Sequence, residues 1–278
     1  MVHLIRSMAF VFALAMPLSA ASAEAPEPFV FVQLCDTQLG MGGYADDKES
    51  LRLAVEQINE LKPDLVFICG DLVNDPSDDN AFADFKALVA GFAAPCHCAP
   101  GNHDVGTQTT IPLLQRYRTI MGEDYFEVQH KGCTFLVVNT SLWRNQVPGE
   151  SEKHDAWFEQ RLKNASKAGR RIFIVGHYPP FVKTPEEKDE YFNLPQAKRA
   201  EVLGLAKQYG VEAILTGHTH REIINTHEGI LSVTSCTTSK NFDGAPRGFR
   251  VFRVGTQGAL QHEYTAIKNA PPNPQGTP

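Results

Sequence analysis

The sequence predicts an α/β protein whose first sheet is parallel. Two observations carry this. Over residues 29–101, apolar runs of strand length alternate with stretches of helical periodicity. Each apolar run is followed at once by a polar residue, usually after a glycine. A strand–helix–strand–helix–strand order implies parallel pairing through right-handed crossovers, which brings the C-terminal ends of the first three strands to one edge. In open α/β sheets, that edge is where ligands bind.

The elements follow in order. Residues 1–23 combine Arg6, an apolar stretch from Met8 to Leu18 and a small-residue site at Ala21-Ser22-Ala23. They read as a secretory signal peptide cleaved near Ala23, because the apolar run is too short for a bilayer; an uncleaved anchor is the alternative. The expected location is periplasmic or secreted. Pro26 to Pro28 form a linker, and the folded domain is placed at 28–268.

Phe29–Cys35 (FVFVQLC) is near-continuously apolar, as for a strand buried on both faces. Asp47–Leu61 carries Leu51, Ala54, Val55, Ile58 and Leu61 at helical spacing and is broken by Pro63. Leu65–Cys69 is the second strand, Asn80–Gly91 a helix, and Pro95–Pro100 the third strand. Ile111–Met121 reads as a helix. Phe126–Gln129 and Cys133–Asn139 flank a Lys131-Gly132 turn as a hairpin. Glu152–Lys167 is a helix, Arg171–Val175 a strand, Gln196–Tyr209 a helix and Ala213–Leu215 a short strand. Residues 222–264 alternate like antiparallel strands, and the Pro-rich Asn269–Pro278 is expected to be disordered. No internal repeat or domain boundary is apparent.

Composition bounds the function. The 278 residues carry a formal charge of −6, and loss of residues 1–23 removes Arg6 and no acidic residue, giving −7. A mildly acidic chain argues against nucleic acid as the main partner. The six cysteines read as small buried hydrophobes, although export would permit a bridge from Cys98 to another strand cysteine.

The chemistry lies at the strand ends. Five clusters follow apolar runs: Asp36-Thr37-Gln38, Gly70-Asp71 with Asn74, Gly101-Asn102-His103-Asp104, Gly176-His177, and Gly217-His218-Thr219-His220. Carboxylates, amides and imidazoles in one place suit a pair of divalent transition metals. Asp71, with two oxygens, can bridge two ions. His218 and His220 can share an ion or serve neighbouring ones. Taken singly each residue has a plainer reading: helix caps for Asp36 and Asp71, a turn for Asn102, a packed loop histidine for His177. His97, His130, His154, His227 and His262 fit no cluster and read as surface or structural.

The set Asp-x-Gln, Gly-Asp-x-x-Asn, Gly-Asn-His-Asp, Gly-His and Gly-His-x-His, in this order over residues 30–255, resembles the calcineurin-like metallophosphoesterase superfamily. GNHDVG at 101–106, Glu123-Asp124-Tyr125-Phe126 and Tyr191-Phe192-Asn193-Leu194 are most similar to its branch named for a calcineurin-like phosphoesterase domain, also called complete S-transactivated protein. That branch contains serine/threonine protein phosphatases. The resemblance implies a four-layer α-β-β-α sandwich of two mixed sheets flanked by helices. It also implies two divalent ions of manganese, iron, zinc or magnesium. Asp36, Gln38, Asp71 and His220 would hold one ion; Asp71, Asn102, His177 and His218 would hold the other. His103 would protonate the leaving group, Asp104 would orient its imidazole, and a hydroxide bridging the ions would attack phosphorus directly.

Two departures matter. Gln38 stands where most of the superfamily has histidine, and its carbonyl oxygen tilts that site toward manganese, magnesium or ferrous iron. Asn74 replaces the commoner aspartate and removes a negative charge. The expected function is hydrolysis of phosphomonoesters by an exported monomer. Its substrate is a small phosphorylated molecule or a phosphoprotein, with no nucleic acid and no membrane after signal cleavage. A phosphodiesterase or nucleotide pyrophosphatase is the alternative, followed by a non-catalytic metal-binding protein. The loop 178–195 is either a small apolar cluster or a substrate rim. Arg247 and Arg250 are expected at the surface, with phosphate contact as the other option.

Overall fold

The computed structural model describes residues 27–256, 258 and 260–274. The signal-peptide expectation for 1–23 therefore lies outside the described residues. The chain forms β1 (Phe29–Leu34), α1 (Tyr44–Leu61), β2 (Leu65–Cys69), α2 (Asp79–Val89), β3 (Cys96–Ala99), α3 (Asn102–Val105) and α4 (Ile111–Met121). It continues with β4 (Phe126–His130), β5 (Cys133–Val137), α5 (Thr140–Arg144), α6 (Glu150–Lys167), β6 (Arg171–Val175) and α7 (Gln196–Tyr209). The last strands are β7 (Val211–Thr216), β8 (Ile223–His227), β9 (Ile230–Thr234), β10 (Gly248–Val254) and β11 (Leu260–Ala266).

Two mixed sheets result, in orders β11-β10-β1-β2-β3 and β4-β5-β6-β7-β9-β8. In the first, β1, β2 and β3 are parallel and β10 returns antiparallel beside β1. In the second, β5, β6, β7 and β9 are parallel. The alternation of β1 and β2 explains the layering. Val32 and Val66 face the helices α1 and α2, whereas Phe31 and Phe67 face the other sheet. Between the sheets, Phe67 stacks on Phe135 at 4.7 Å, and Phe31 meets Phe135 and Phe173 edge-on at 5.1 and 5.8 Å. Burying each such ring contributes roughly 2 kcal/mol, which holds the two sheets face to face. A third core lies between the second sheet and α6 and α7, through Phe158, Leu162, Val202 and Leu203. The α-β-β-α sandwich follows.

Some expectations shift. Strand β5 ends at Val137, two residues before the expected Asn139, because the Asn139 side chain instead caps α5 by accepting from Ser141 N–H at 3.1 Å. Strand β9 joins β7 in parallel rather than continuing an antiparallel run. The chain past Asn269 is tied down at least to Asn273, whose amide exchanges two hydrogen bonds with the Asn241 main chain; residues 275–278 lie outside the described residues. All six cysteines are free. Arg247 and Arg250 are both buried, against expectation. Arg247 lies 3.5 Å from Asp47 and donates to Ser50 Oγ, while Arg250 pairs with Glu222. A carboxylate from elsewhere in the chain, buried Asp47 or half-buried Glu222, gives each guanidinium a partner, which local sequence does not reveal.

The parallel strands of both sheets end on the same side of the sandwich. Asp36 and Asp71 follow β1 and β2, Asn102 follows β3, and His177 and His218 follow β6 and β7.

Candidate metal centre

The turns after the strands are joined by main-chain bonds that extend the sheets. Asp36 N–H donates to Gly70 O at 3.1 Å, Gln38 N–H to Asp71 O at 2.8 Å, and Gly217 N–H to His177 O at 3.0 Å. The side chains are aimed by strained backbone. Asp36, Gln38, Asp71, His218 and His220 all take positive φ, at 46°, 35°, 52°, 70° and 53°. Non-glycine residues rarely adopt this region, and its clustering at one edge marks a functional site. Glycine is needed beside them for space. A Cβ on Gly101 would run into the Asp71 carboxylate, and one on Gly217 into that of Asp36.

Two groups of donors form, Asp71 with His177 and His218, and Asp36 with Asp71 and His220, each with its ligand atoms within 4.8 Å of one another. All of these residues are buried. Asp71 belongs to both groups, as a bridging carboxylate must. His177 Nε2 lies 3.2 Å from Asp71 Oδ2, 3.1 Å from Asn102 Oδ1 and 3.1 Å from His218 Nδ1. His220 Nε2 lies 3.3 Å from Asp36 Oδ1.

The donor set fits metal ions. The other ring nitrogen of each histidine meets a main-chain carbonyl: His177 Nδ1 that of Cys69 at 2.8 Å, His218 Nε2 that of Tyr191 at 3.0 Å, and His220 Nδ1 that of Lys240 at 2.6 Å. N–H donation to a carbonyl fixes the tautomer and leaves the inner nitrogen bare, the usual support for a metal-ligating histidine. Bare nitrogens of His177 and His218 then face each other, which a cation resolves. Gln38 gives an independent sign. Its Nε2 donates to Asn74 Oδ1 at 3.2 Å, while its buried Oε1 has no hydrogen-bond partner. An orphaned buried carbonyl is costly unless an ion takes it.

The charges agree. Burial pushes Asp71 up, but His177 and the other histidines outweigh it and hold the carboxyl well below the usual range. Burial pushes His177 down, yet Asp71 and then Asp36 bring it to about 10. His218 is pushed down by burial and by His177. Asp104 is pushed up to about 8 by burial and by Asp71.

Seven expected ligands thus share one edge, with His103 beside them. The contact expected between Asp104 and the His103 ring is not made. Asp104 accepts from the N–H groups of Leu72, Val73 and Gly101 at 2.9, 3.2 and 2.7 Å, so it ties the second and third turns together. His103 Nδ1 lies instead 2.8 Å from Asn74 O, and its N–H donates to Asp71 Oδ1 at 2.8 Å. Asn74 therefore serves both His103 and Gln38. Sequence reading missed the carbonyls of Cys69, Tyr191 and Lys240, because a main-chain acceptor has no residue signature. The 178–195 loop reaches the centre, with the Tyr191 ring 4.9 Å from that of His218.

A sandwich of this topology with a carboxylate shared between two donor groups defines a metal-dependent hydrolase of phosphoric esters. The chain belongs to the Calcineurin-like phosphoesterase family, which matches residues 29–222. It is 31% identical to the serine/threonine-protein phosphatase CPPED1 of Danio rerio, over 86% of this chain and 85% of that protein. It is 26% identical to the 3',5'-cyclic adenosine monophosphate phosphodiesterase CpdA of Escherichia coli K12, over 84% of this chain and 85% of that one. Among solved structures it is similar to a dimetal phosphatase from Danio rerio, with a TM-score of 0.62 at 15% identity, covering 87% of this chain and all of that one. At that identity the likeness speaks to the fold alone.

Proposed function

We propose that the protein is an exported phosphatase that hydrolyses phosphomonoesters by direct attack of water at phosphorus. The observation that supports this best is the pair of donor groups sharing Asp71, with the half-buried His103 held beside them. Asp36, Gln38, Asp71 and His220 would hold one divalent ion; Asp71, Asn102, His177 and His218 would hold the second. When bound, such a pair supplies Lewis-acid charge to the phosphoryl group and to the attacking water. The neutral oxygen of Gln38 favours manganese, magnesium or ferrous iron in the first position. His103 donates a proton to the departing oxygen from Nε2. Its Nδ1, fixed by the Asn74 carbonyl, sets the ring's orientation. Asp104 acts through the main chain, holding Gly101 to Leu72 and Val73 so that Asn102 and His103 stand in place.

The similarity to a protein phosphatase makes a phosphoprotein one candidate substrate and a small phosphate ester the other. The similarity to a cyclic nucleotide phosphodiesterase supports the second reading, a diesterase with the same centre. Turnover of 4-nitrophenyl phosphate against its bis-ester separates them. A bis-ester preference of orders of magnitude in kcat/KM would sink the monoesterase reading. Export, as a monomer free of membrane and nucleic acid, is checked by fractionation and N-terminal sequencing. The expected mature start is Glu24, and an intact Met1 in the membrane fraction would count for an anchor.

A further inference from the structure

Arg221 follows the ligand His220 directly, and the fold gives it an uncommon setting. Its guanidinium lies 5.5 Å from the centre of the Phe192 ring and 6.0 Å from that of Phe242. Each of those rings packs on a histidine of the metal centre. Phe192 is 5.5 Å from His218, and Phe242 stacks on His220 at 4.6 Å with planes 8° apart. Arg221 therefore spans the space between the two histidine-bearing sides, one ring's thickness outside the ligands. A second cation joins it, since Lys240 Nζ is 5.9 Å from the Phe242 ring and the Lys240 carbonyl holds His220.

The nearby acids are engaged elsewhere. Glu222 turns to Arg250, Ser235 and the Cys236 N–H. Asp243 accepts from the N–H groups of Glu222 and Ala245. Among the described residues, no carboxylate lies within 4.0 Å of the Arg221 guanidinium. A guanidinium held by aromatic faces keeps its N–H donors free, and those donors match an oxyanion in bidentate fashion. The scissile phosphate is already addressed by the centre itself. A half-buried, unpaired cation just beyond it is built for something else with negative charge.

We propose that Arg221, clamped between Phe192 and Phe242, is a specificity-determining residue that receives a second oxyanion on the substrate, a carboxylate or a phosphate next to the scissile group. This rests on reading the centre as a phosphoester site. Lys240 adds to the same field. The preferred substrate is then a phosphate ester with another acidic group close by, rather than a simple alkyl or aryl phosphate.

Binding tests this without turnover. Benzenephosphonate, 3-carboxybenzenephosphonate and 1,3-benzenebisphosphonate are titrated calorimetrically into the metal-loaded full-length mature protein. The ligands with a second anion are expected to bind about tenfold or more tightly than benzenephosphonate, and the larger gain of the two identifies the preferred oxyanion. Arg221→Gln should erase that gain with metal content unchanged, and Arg221→Lys should keep part of it. Phe242→Leu should weaken it by releasing the clamp. Equal wild-type affinities for all three, or a gain that survives Arg221→Gln, overturns the role. A protein that shows the gain yet hydrolyses no phosphoester refutes the proposed activity and leaves the role of Arg221 standing. One that hydrolyses phenyl phosphate but shows no gain refutes the role alone.

Discussion

His154 and His177 are both fully buried, and the fold drives them in opposite directions. His154 lies among Tyr125, Trp143 and Trp157, with ring centres 4.9, 5.2 and 6.1 Å away. Its Nε2 accepts from the Asn139 N–H at 3.2 Å, and the nearest carboxylate, Asp155, is 3.9 Å away. Burial, with a smaller push from Lys198, takes it down to about 3. His177 suffers the same burial, but Asp71 and Asp36 reverse it and bring the ring to about 10. The same residue type is thus a neutral packing group in one place and part of a charge cluster in the other. Adjacent carboxylates make the difference, and carboxylates also make a metal site.

The largest effect should come from removing the carboxylate that both donor groups share. Asp71→Ala is expected to abolish metal binding, seen by elemental analysis, and to lower turnover by at least about 10³-fold. Retention of two ions per chain would show that Asp71 does not bridge. His103→Asn should leave metal content intact and lower kcat by about 10²–10⁴-fold. That loss should be greater on phenyl phosphate than on 4-nitrophenyl phosphate, because a poor leaving group needs the proton more. An equal loss on both would remove His103 from the role of acid.

The other half of the comparison is tested by acid. His154 has a folded pKa depressed from 6.5 to about 3. Between those values the unfolded chain binds a proton that the folded chain does not, so stability rises with pH and falls on acidification. The contribution is about 2 kcal/mol lost between pH 7 and pH 5. His154→Gln, which keeps an acceptor for Asn139, should lower stability at neutral pH and flatten this part of the acid limb. Urea midpoints from pH 7 to 5 measure it; identical slopes for the two proteins would contradict the assignment. The smallest effect is expected at Gln38. Gln38→His should tighten the first site about tenfold and shift its preference toward zinc, measured by competition between zinc and manganese. An unchanged preference would mean that Gln38 Oε1 is not a ligand.

The strand ends were legible because buried parallel strands read as unbroken apolar runs, and a polar residue after each has few other reasons to recur. FVFVQLC before Asp36 and LVFIC before Asp71 are of this kind. The supports were not legible. Asp104 and His103 are adjacent in the chain, yet one accepts from the Leu72 and Val73 N–H groups and the other meets the Asn74 carbonyl, both in the turn after β2. Arg247 and Asp47 are far apart in sequence but closed into one buried pair. Phe192 and Phe242 came to flank Arg221 from two separate loops.

By itself, the sequence determined which polar residues follow the buried strands and in what order, because periodicity and residue type are local properties. Only the tertiary structure decided that two sheets end on one edge and that Asp71 belongs to both donor groups. It also decided which nitrogen of each histidine faces inward, and that His154 lies among aromatic rings while His177 lies against the Asp71 carboxylate. Those outcomes depend on distances between elements and on the local dielectric, and both exist only once the sandwich has closed.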